Sequence, residues 1–140
     1  MATYPVNKII MIPLKKFVPA IGWFFLVLYL ICLPGNQFPK TDDWLKVIYF
    51  DKWVHFGLFG ILTFLWIKPF AISNIVYTQK LQACIKITMS IIVWGLTTEY
   101  IQKYFIPFRA FDLWDWAADS IGAALAFAVC YKMYLAQKKE

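Results

Sequence analysis

The chain has 140 residues, 61% of them hydrophobic, 20% aromatic and 16% charged, with a mean hydropathy of +0.60 and a formal net charge of +6. An ordinary soluble domain is nearer half apolar and a quarter charged, so this composition excludes a conventional water-soluble core. Spans of about 20 residues, enough to cross ~30 Å of hydrocarbon at ~1.5 Å per residue, take up most of the length and exclude a separate soluble domain.

The first predicted span runs from Phe17 to Leu33. Lys15 and Lys16 precede it, giving the charged start and apolar middle of a signal peptide. It lacks a small-x-small exit, and bulky Leu30 and Ile31 stand before Cys32, so an uncleaved helix ended by Pro34 and Gly35 is expected. Asn36 to Phe50 is expected as an outer loop with a short amphipathic piece around "DDWLKVIYF", capped by Asp42 or Asp43. The second span is Asp51 to Ile67, the third Ala83 to Tyr104 and the fourth Leu113 to Tyr134. The predicted fold is all-α, a single polytopic membrane four-helix bundle over residues 1–140 with no repeat or low-complexity segment. Cys32, Cys84 and Cys130 have no CxxC spacing, and Cys32 falls at the opposite face from the other two, so no disulfide is expected.

Alternating spans sort the charges. Lys8, Lys15, Lys16, Lys68, Lys80, Lys86, Lys132, Lys138 and Lys139 fall on one face; Lys40, Lys46, Lys52, Lys103 and Arg109 fall on the other. Of the 8 acids only Glu140 joins the first group. The positive-inside rule therefore predicts a multi-pass protein of the cell membrane with both termini cytoplasmic. The basic balance is an orientation signal, and no nucleic-acid partner is expected. Aromatic residues mark the same boundaries: Trp44, Tyr49, Trp53, Tyr104, Trp114 and Trp116 outside, Trp66, Tyr77, Tyr131 and Tyr134 inside.

The outer acids gather on helix faces. Asp51 and His55 are i,i+4 at the start of the second span, Glu99 and Gln102 i,i+3 near the end of the third, and Asp112, Asp115 and Asp119 i,i+3,i+7 at the start of the fourth. Counting from the boundaries, His55 lies ~6 Å below Asp51, Glu99 ~7 to 8 Å below Tyr104 and Asp119 ~9 Å below Leu113. A carboxylate facing lipid costs about 3 kcal/mol or more, so these groups are expected to converge inside the bundle around a polar cavity opening outward. Ala118, Gly122 and Ala126 form a small-xxx-small face for close helix approach, with Gly57, Gly60 and Gly95 suited to the same use.

"DKWVHFGLFGILTF", followed after one span by "TEYIQKYFIPFRAFDLWDWAADSIGAALA", resembles the VanZ-like membrane family, named for a teicoplanin-resistance protein, over roughly Leu33 to Phe127. The family pattern matches at Asp51, Lys52, His55, Glu99, Gln102, Arg109, Asp112, Asp115 and Gly122; Asp119 stands where many members have Asn. The resemblance implies a multi-span protein of the bacterial cell envelope, linked in one member to reduced glycopeptide action, and implies no established reaction.

Three readings of the polar residues stay open. In the first, Lys52, Gln102 and Arg109, with Asp51, Asp112, Asp115 and Asp119 around them, bind an anionic or sugar-bearing envelope molecule: a lipid head group, a cell-wall precursor or a lipid-linked sugar. The surrounding acids oppose an anion unless a cation is shared. In the second, Glu99 and His55 act as acid and base, or His55 with Glu99, Asp115 and Asp119 holds a divalent metal, in a hydrolase or transferase acting on a lipid-linked phosphate or sugar. No HExxH pair, phosphate-cradling Gly-rich loop or GxSxG elbow accompanies them, and the residues name no cofactor. In the third, Arg109 and Lys52 offset the carboxylates in a structural network that fixes helix packing.

Overall fold

The computed structural model describes residues 12–37 and 49–136. Among them are four helices long and apolar enough to cross a membrane. Helix α1 is Val18–Cys32, entered through a 3-10 turn at Leu14–Phe17, with Pro19 in its first turn where a missing N–H is tolerated. Helix α2 is Phe50–Ala71, α3 is Tyr77–Phe105 and α4 is Leu113–Cys130, which continues as a π-helical turn over Tyr131–Leu135. The amphipathic piece expected before α2 lies outside the described residues apart from Tyr49 and Phe50, and so do Asp42, Asp43 and Trp44.

Two helices run further than the apolar pattern at one end of the bundle. Helix α2 passes Ile67 and Pro69 to end at Ala71, and α3 begins at Tyr77, ahead of Ala83. Hydropathy reports where hydrocarbon ends, whereas backbone hydrogen bonding continues beyond it. Lys80 supports this end: it is 6% exposed, and its Nζ donates to the Ala71 carbonyl at 3.3 Å, satisfying a carbonyl that the end of α2 leaves open.

The most extensive packing is between α2 and α4, with α3 against both and α1 more peripheral. Gly122 makes the close crossing possible. A Cβ added there would sit 2.2 Å from the Phe56 carbonyl oxygen and 3.2 Å from the Gly60 nitrogen, so backbone meets backbone at this point. Buried Ala126 extends the small face that the sequence pattern suggested. Gly57 does not take part, since a Cβ there would meet nothing within 4 Å.

Val27 and Ile31 of α1, Phe59 and Leu62 of α2, Ile91 of α3 and Ala123 of α4 form one buried apolar cluster; Ile67, Ala71, Cys84, Cys130 and Leu135 form a second. Helix α1 is fastened by the Trp23 Nε1–H bond to the Leu58 carbonyl at 3.0 Å and by ring contacts of Phe17 with Trp66 and Phe70. Its exit is tied across the bundle, where the Gly35 N–H donates to the Pro107 carbonyl at 3.1 Å. A Cβ on Gly35 would collide with the Phe108 carbonyl, which is why glycine stands there, and Phe108 itself takes φ 60°. All three cysteines are free thiols.

The exterior is apolar along the helices, with Phe25, Ile61, Met89, Val93, Ile121 and Leu125 all exposed. A water-soluble monomer does not present so continuous an apolar surface, and a bilayer removes the cost of exposing it. Trp53, Tyr104 and Trp114 are exposed together at one end of the bundle, near the start of α2, the end of α3 and the start of α4, as an interfacial belt requires. Trp116 departs from that belt, because its Nε1–H reaches inward to the Ile92 carbonyl at 3.0 Å and ties α4 to the middle of α3.

Candidate functional site

The polar residues of α2, α3 and α4 converge at the end of the bundle that carries the exposed Trp53, Tyr104 and Trp114, and they do so in two layers. Lys52 organises the outer one. Its ammonium pairs with Asp51 at 3.0 Å, with Asp115 at 2.7 Å and, closest of all, with Asp112. Asp112 is the N-cap of α4, its carboxylate accepting the Trp114 N–H at 2.8 Å, and Asp115 lies in the first turn, where the helix dipole favours negative charge. Burial pushes the Asp112 carboxyl up, but the Lys52 hydrogen bond and the Trp114 N–H outweigh it and hold the group below its ordinary value.

The inner layer is His55, Glu99 and Asp119. His55 Nδ1 lies 3.0 Å from Asp119 Oδ1, and His55 Nε2 lies 3.8 Å from Asp115 Oδ2, which joins the two layers. Glu99 accepts the Asp112 N–H at 2.9 Å through Oε2, so α3 also holds the start of α4. Gly95 makes room for the arrangement, since a Cβ there would press to 3.2 Å from Asp119 Oδ2. Glycine was legible in the sequence as a close-approach residue, but what it admits is a carboxylate.

Exposure falls steadily along this row. The side chains of Asp51, Asp112, Asp115 and Asp119 are 61%, 38%, 12% and 0% exposed. The acids thus make a graded line from the surface to the interior. At its inner end, Glu99 Oε1 and Asp119 Oδ2 are buried and receive no hydrogen bond from the described residues. Buried polar atoms are ordinarily satisfied, because an unmet carboxylate in a low-dielectric interior is costly.

Most of the residues singled out in the sequence meet here, with their grouping changed. Asp51 and His55 share a helix face as expected, with His55 one turn deeper, so Asp51 pairs with Lys52 in the outer layer and His55 with Asp119 in the inner one. Gln102 is buried, 3% exposed, one turn beyond Glu99, and Arg109 is half-buried in the segment between α3 and α4. Trp116 is the supporting residue whose role spacing alone did not reveal; Gly95 was suited by the sequence to close approach, and the neighbour it admits is distant in the chain. Two groups have donor atoms close enough to hold a metal ion, His55 with Glu99 and Asp119, and Asp51 with Asp112 and Asp115; within each, the atoms lie within 4.8 Å of one another.

Fold and site together define a helical protein built to cross a membrane several times, with an acid-rich polar cluster buried at one end of the bundle. No family model, curated protein or solved structure matches the chain.

Proposed function

We propose that this chain is a VanZ-like protein of the bacterial cell envelope, its termini in the cytoplasm, whose outward-facing polar site binds the head group of an envelope lipid or a lipid-linked cell-wall precursor. The observation that carries the reading is the pair of buried carboxylate oxygens on Glu99 and Asp119 that the protein leaves unmet. A network kept only for packing is expected to satisfy its own members, because a half-satisfied one is worse than an apolar core. The graded line of acids supplies a route from the membrane surface to that pair.

The electrostatics also favour one kind of head group. Lys52 is already held by three carboxylates, so it is engaged rather than open to an incoming anion. Asp51, Asp112, Asp115, Asp119 and Glu99 outnumber the cations among them, which suits the hydroxyl and ammonium donors of a sugar or amino-sugar better than a bare phosphate. Exposed Tyr104, Phe105, Phe108 and Trp114 at the same end supply apolar faces on which a sugar ring can rest.

Acid–base chemistry is the second reading. It is favoured by the His55–Asp119 contact, in which a carboxylate orients the imidazole and leaves Nε2 directed toward Asp115. Lipid extracted from protein purified in mild detergent tests the main reading. Mass spectrometry should find a defined sugar-bearing lipid enriched with the wild-type chain and depleted with Glu99→Gln or Arg109→Lys. Identical lipid profiles for all three proteins would remove the reading. Glycopeptide susceptibility is the first cellular phenotype to compare across the same variants.

A further inference from the structure

We infer that His55, Glu99 and Asp119 bind one divalent first-row transition-metal ion, of the Zn²⁺ or Mn²⁺ kind, at the buried end of the acid row. The three donors come from three different helices and lie within 4.8 Å of one another. Around an ion with bonds of ~2.1 Å, opposed ligands stand ~4.2 Å apart and adjacent ones ~3 Å apart. Donors no farther apart than 4.8 Å need contract by only ~0.6 Å to stand as an opposed pair, and the 3.0 Å hydrogen bond between His55 Nδ1 and Asp119 would give up its proton as the ion enters.

Charge is the second, independent reason. Glu99 and Asp119 are both 0% exposed, and each keeps one oxygen that no hydrogen-bond donor among the described residues meets. Two carboxylates and a neutral imidazole carry −2 in a place where charge is expensive; a divalent ion brings the group to neutrality and satisfies both open oxygens at once. The cluster cannot borrow Lys52 for this, because that ammonium is committed to Asp51, Asp112 and Asp115.

The donor set selects among ions. Imidazole nitrogen suits Zn²⁺, Fe²⁺ and their neighbours, carboxylates admit Mn²⁺ as well, while Mg²⁺ and Ca²⁺ favour oxygen throughout. Asp51, Asp112 and Asp115 form the weaker candidate: the Lys52 ammonium already occupies the space among their carboxylates and takes their oxygens, and Asp51 is 61% exposed. Three protein ligands leave coordination positions open, through which a hydroxyl of the head group would meet the ion. That last step rests on the head-group reading; the ion's binding does not.

The test uses the full chain, tag removed, in mild detergent. After chelation and removal of the chelator, titration with Zn²⁺, and with Co²⁺ followed by its visible absorption, should give one site per chain. Excess Mg²⁺ or Ca²⁺ should not displace the ion, and the cobalt spectrum should lack the intense thiolate band that Cys84 or Cys130 would produce. Glu99→Gln and Asp119→Asn should each weaken binding by ~100-fold or more, beyond the 10–100-fold typical of losing an outer partner. Absence of a one-to-one site in the wild-type chain would overturn the inference, whatever the variants do. So would a thiolate band, or unchanged affinity in folded Glu99→Gln. If metal fails to bind while Glu99→Gln still loses the sugar-bearing lipid, the ion falls and the head-group reading stands; metal without lipid gives the converse.

Discussion

Replacing Gly122 by alanine adds a single methyl group at the point where α4 touches α2. The new carbon would lie 2.2 Å from the Phe56 carbonyl oxygen, 3.0 Å from its carbon and 3.2 Å from the Gly60 nitrogen. Ordinary carbon–oxygen contact begins near ~3.3 Å. The helices must therefore separate by roughly 1 Å, and since the obstacle is backbone, no side chain can turn aside. Overpacking of this kind costs about 1–3 kcal/mol. The same shift would stretch the 3.0 Å contact between His55 and Asp119, which bridges this very pair of helices, beyond hydrogen-bonding distance. Gly122→Ala in detergent should melt several degrees lower than wild type, and any metal or lipid held by the site should be lost with it. Gly57→Ala is the internal comparison, because its Cβ would enter open space on the same helix pair. It should melt within about a degree of wild type or slightly above, given the ~0.5–1 kcal/mol that alanine gains over glycine within a helix. Equal melting of the two variants would refute the close crossing at Gly122.

Lys52→Met should lower stability by about 1–3 kcal/mol, since it leaves Asp112 and Asp115 facing one another without their shared cation. Adding Asp115→Asn should recover part of that loss, and chemical denaturation in mixed micelles can measure both. Asp112 titrates below its ordinary value when folded, so its contribution is complete above about pH 4 and is lost as the pH falls through the folded value. Wild-type melting should drop over that acidic range, and Asp112→Asn should flatten the dependence there. For orientation, cysteines introduced by Asn36→Cys and Lys139→Cys into a background lacking Cys32, Cys84 and Cys130 report the two faces: a membrane-impermeant reagent added to intact cells should label the first and spare the second. Labelling at Lys139→Cys would reverse the assigned topology.

Hydropathy was enough to bring out four spans, spacing along each helix put Asp115 and Asp119 on one face and His55 on another, and the cost of placing charge in lipid required those faces to turn inward toward one another. Contacts between helices were hidden. Lys52 could be seen as a cation near acids, but not as the ammonium that three of them share. Gly35 read as a helix stop, whereas its lack of a side chain serves Phe108, a residue distant in the chain. Lys80 read as one more basic residue at the cytoplasmic side; its burial against the end of α2 appears only once the turn at residues 72–76 is closed. Trp116 looked like an interface anchor because tryptophan often is one, and the Ile92 carbonyl that draws it inward lies on another helix. Gly57 and Gly60 were indistinguishable by composition, and only the crossing at Gly122 separates them.

The sharpest division between a ligand site and a packing device comes from Glu99→Gln, melted after lipid and any metal have been stripped and compared with wild type treated identically, while retained lipid is measured before stripping. Glutamine keeps the size and an acceptor for the Asp112 N–H, and removes a buried charge whose Oε1 no protein group meets. If the residue is held there for a ligand, the stripped variant should melt at or above the wild-type temperature while failing to retain the sugar-bearing lipid, the exchange of stability for function expected of binding residues. A variant that melts lower yet carries the same lipid as wild type would make Glu99 a structural residue and contradict the functional site.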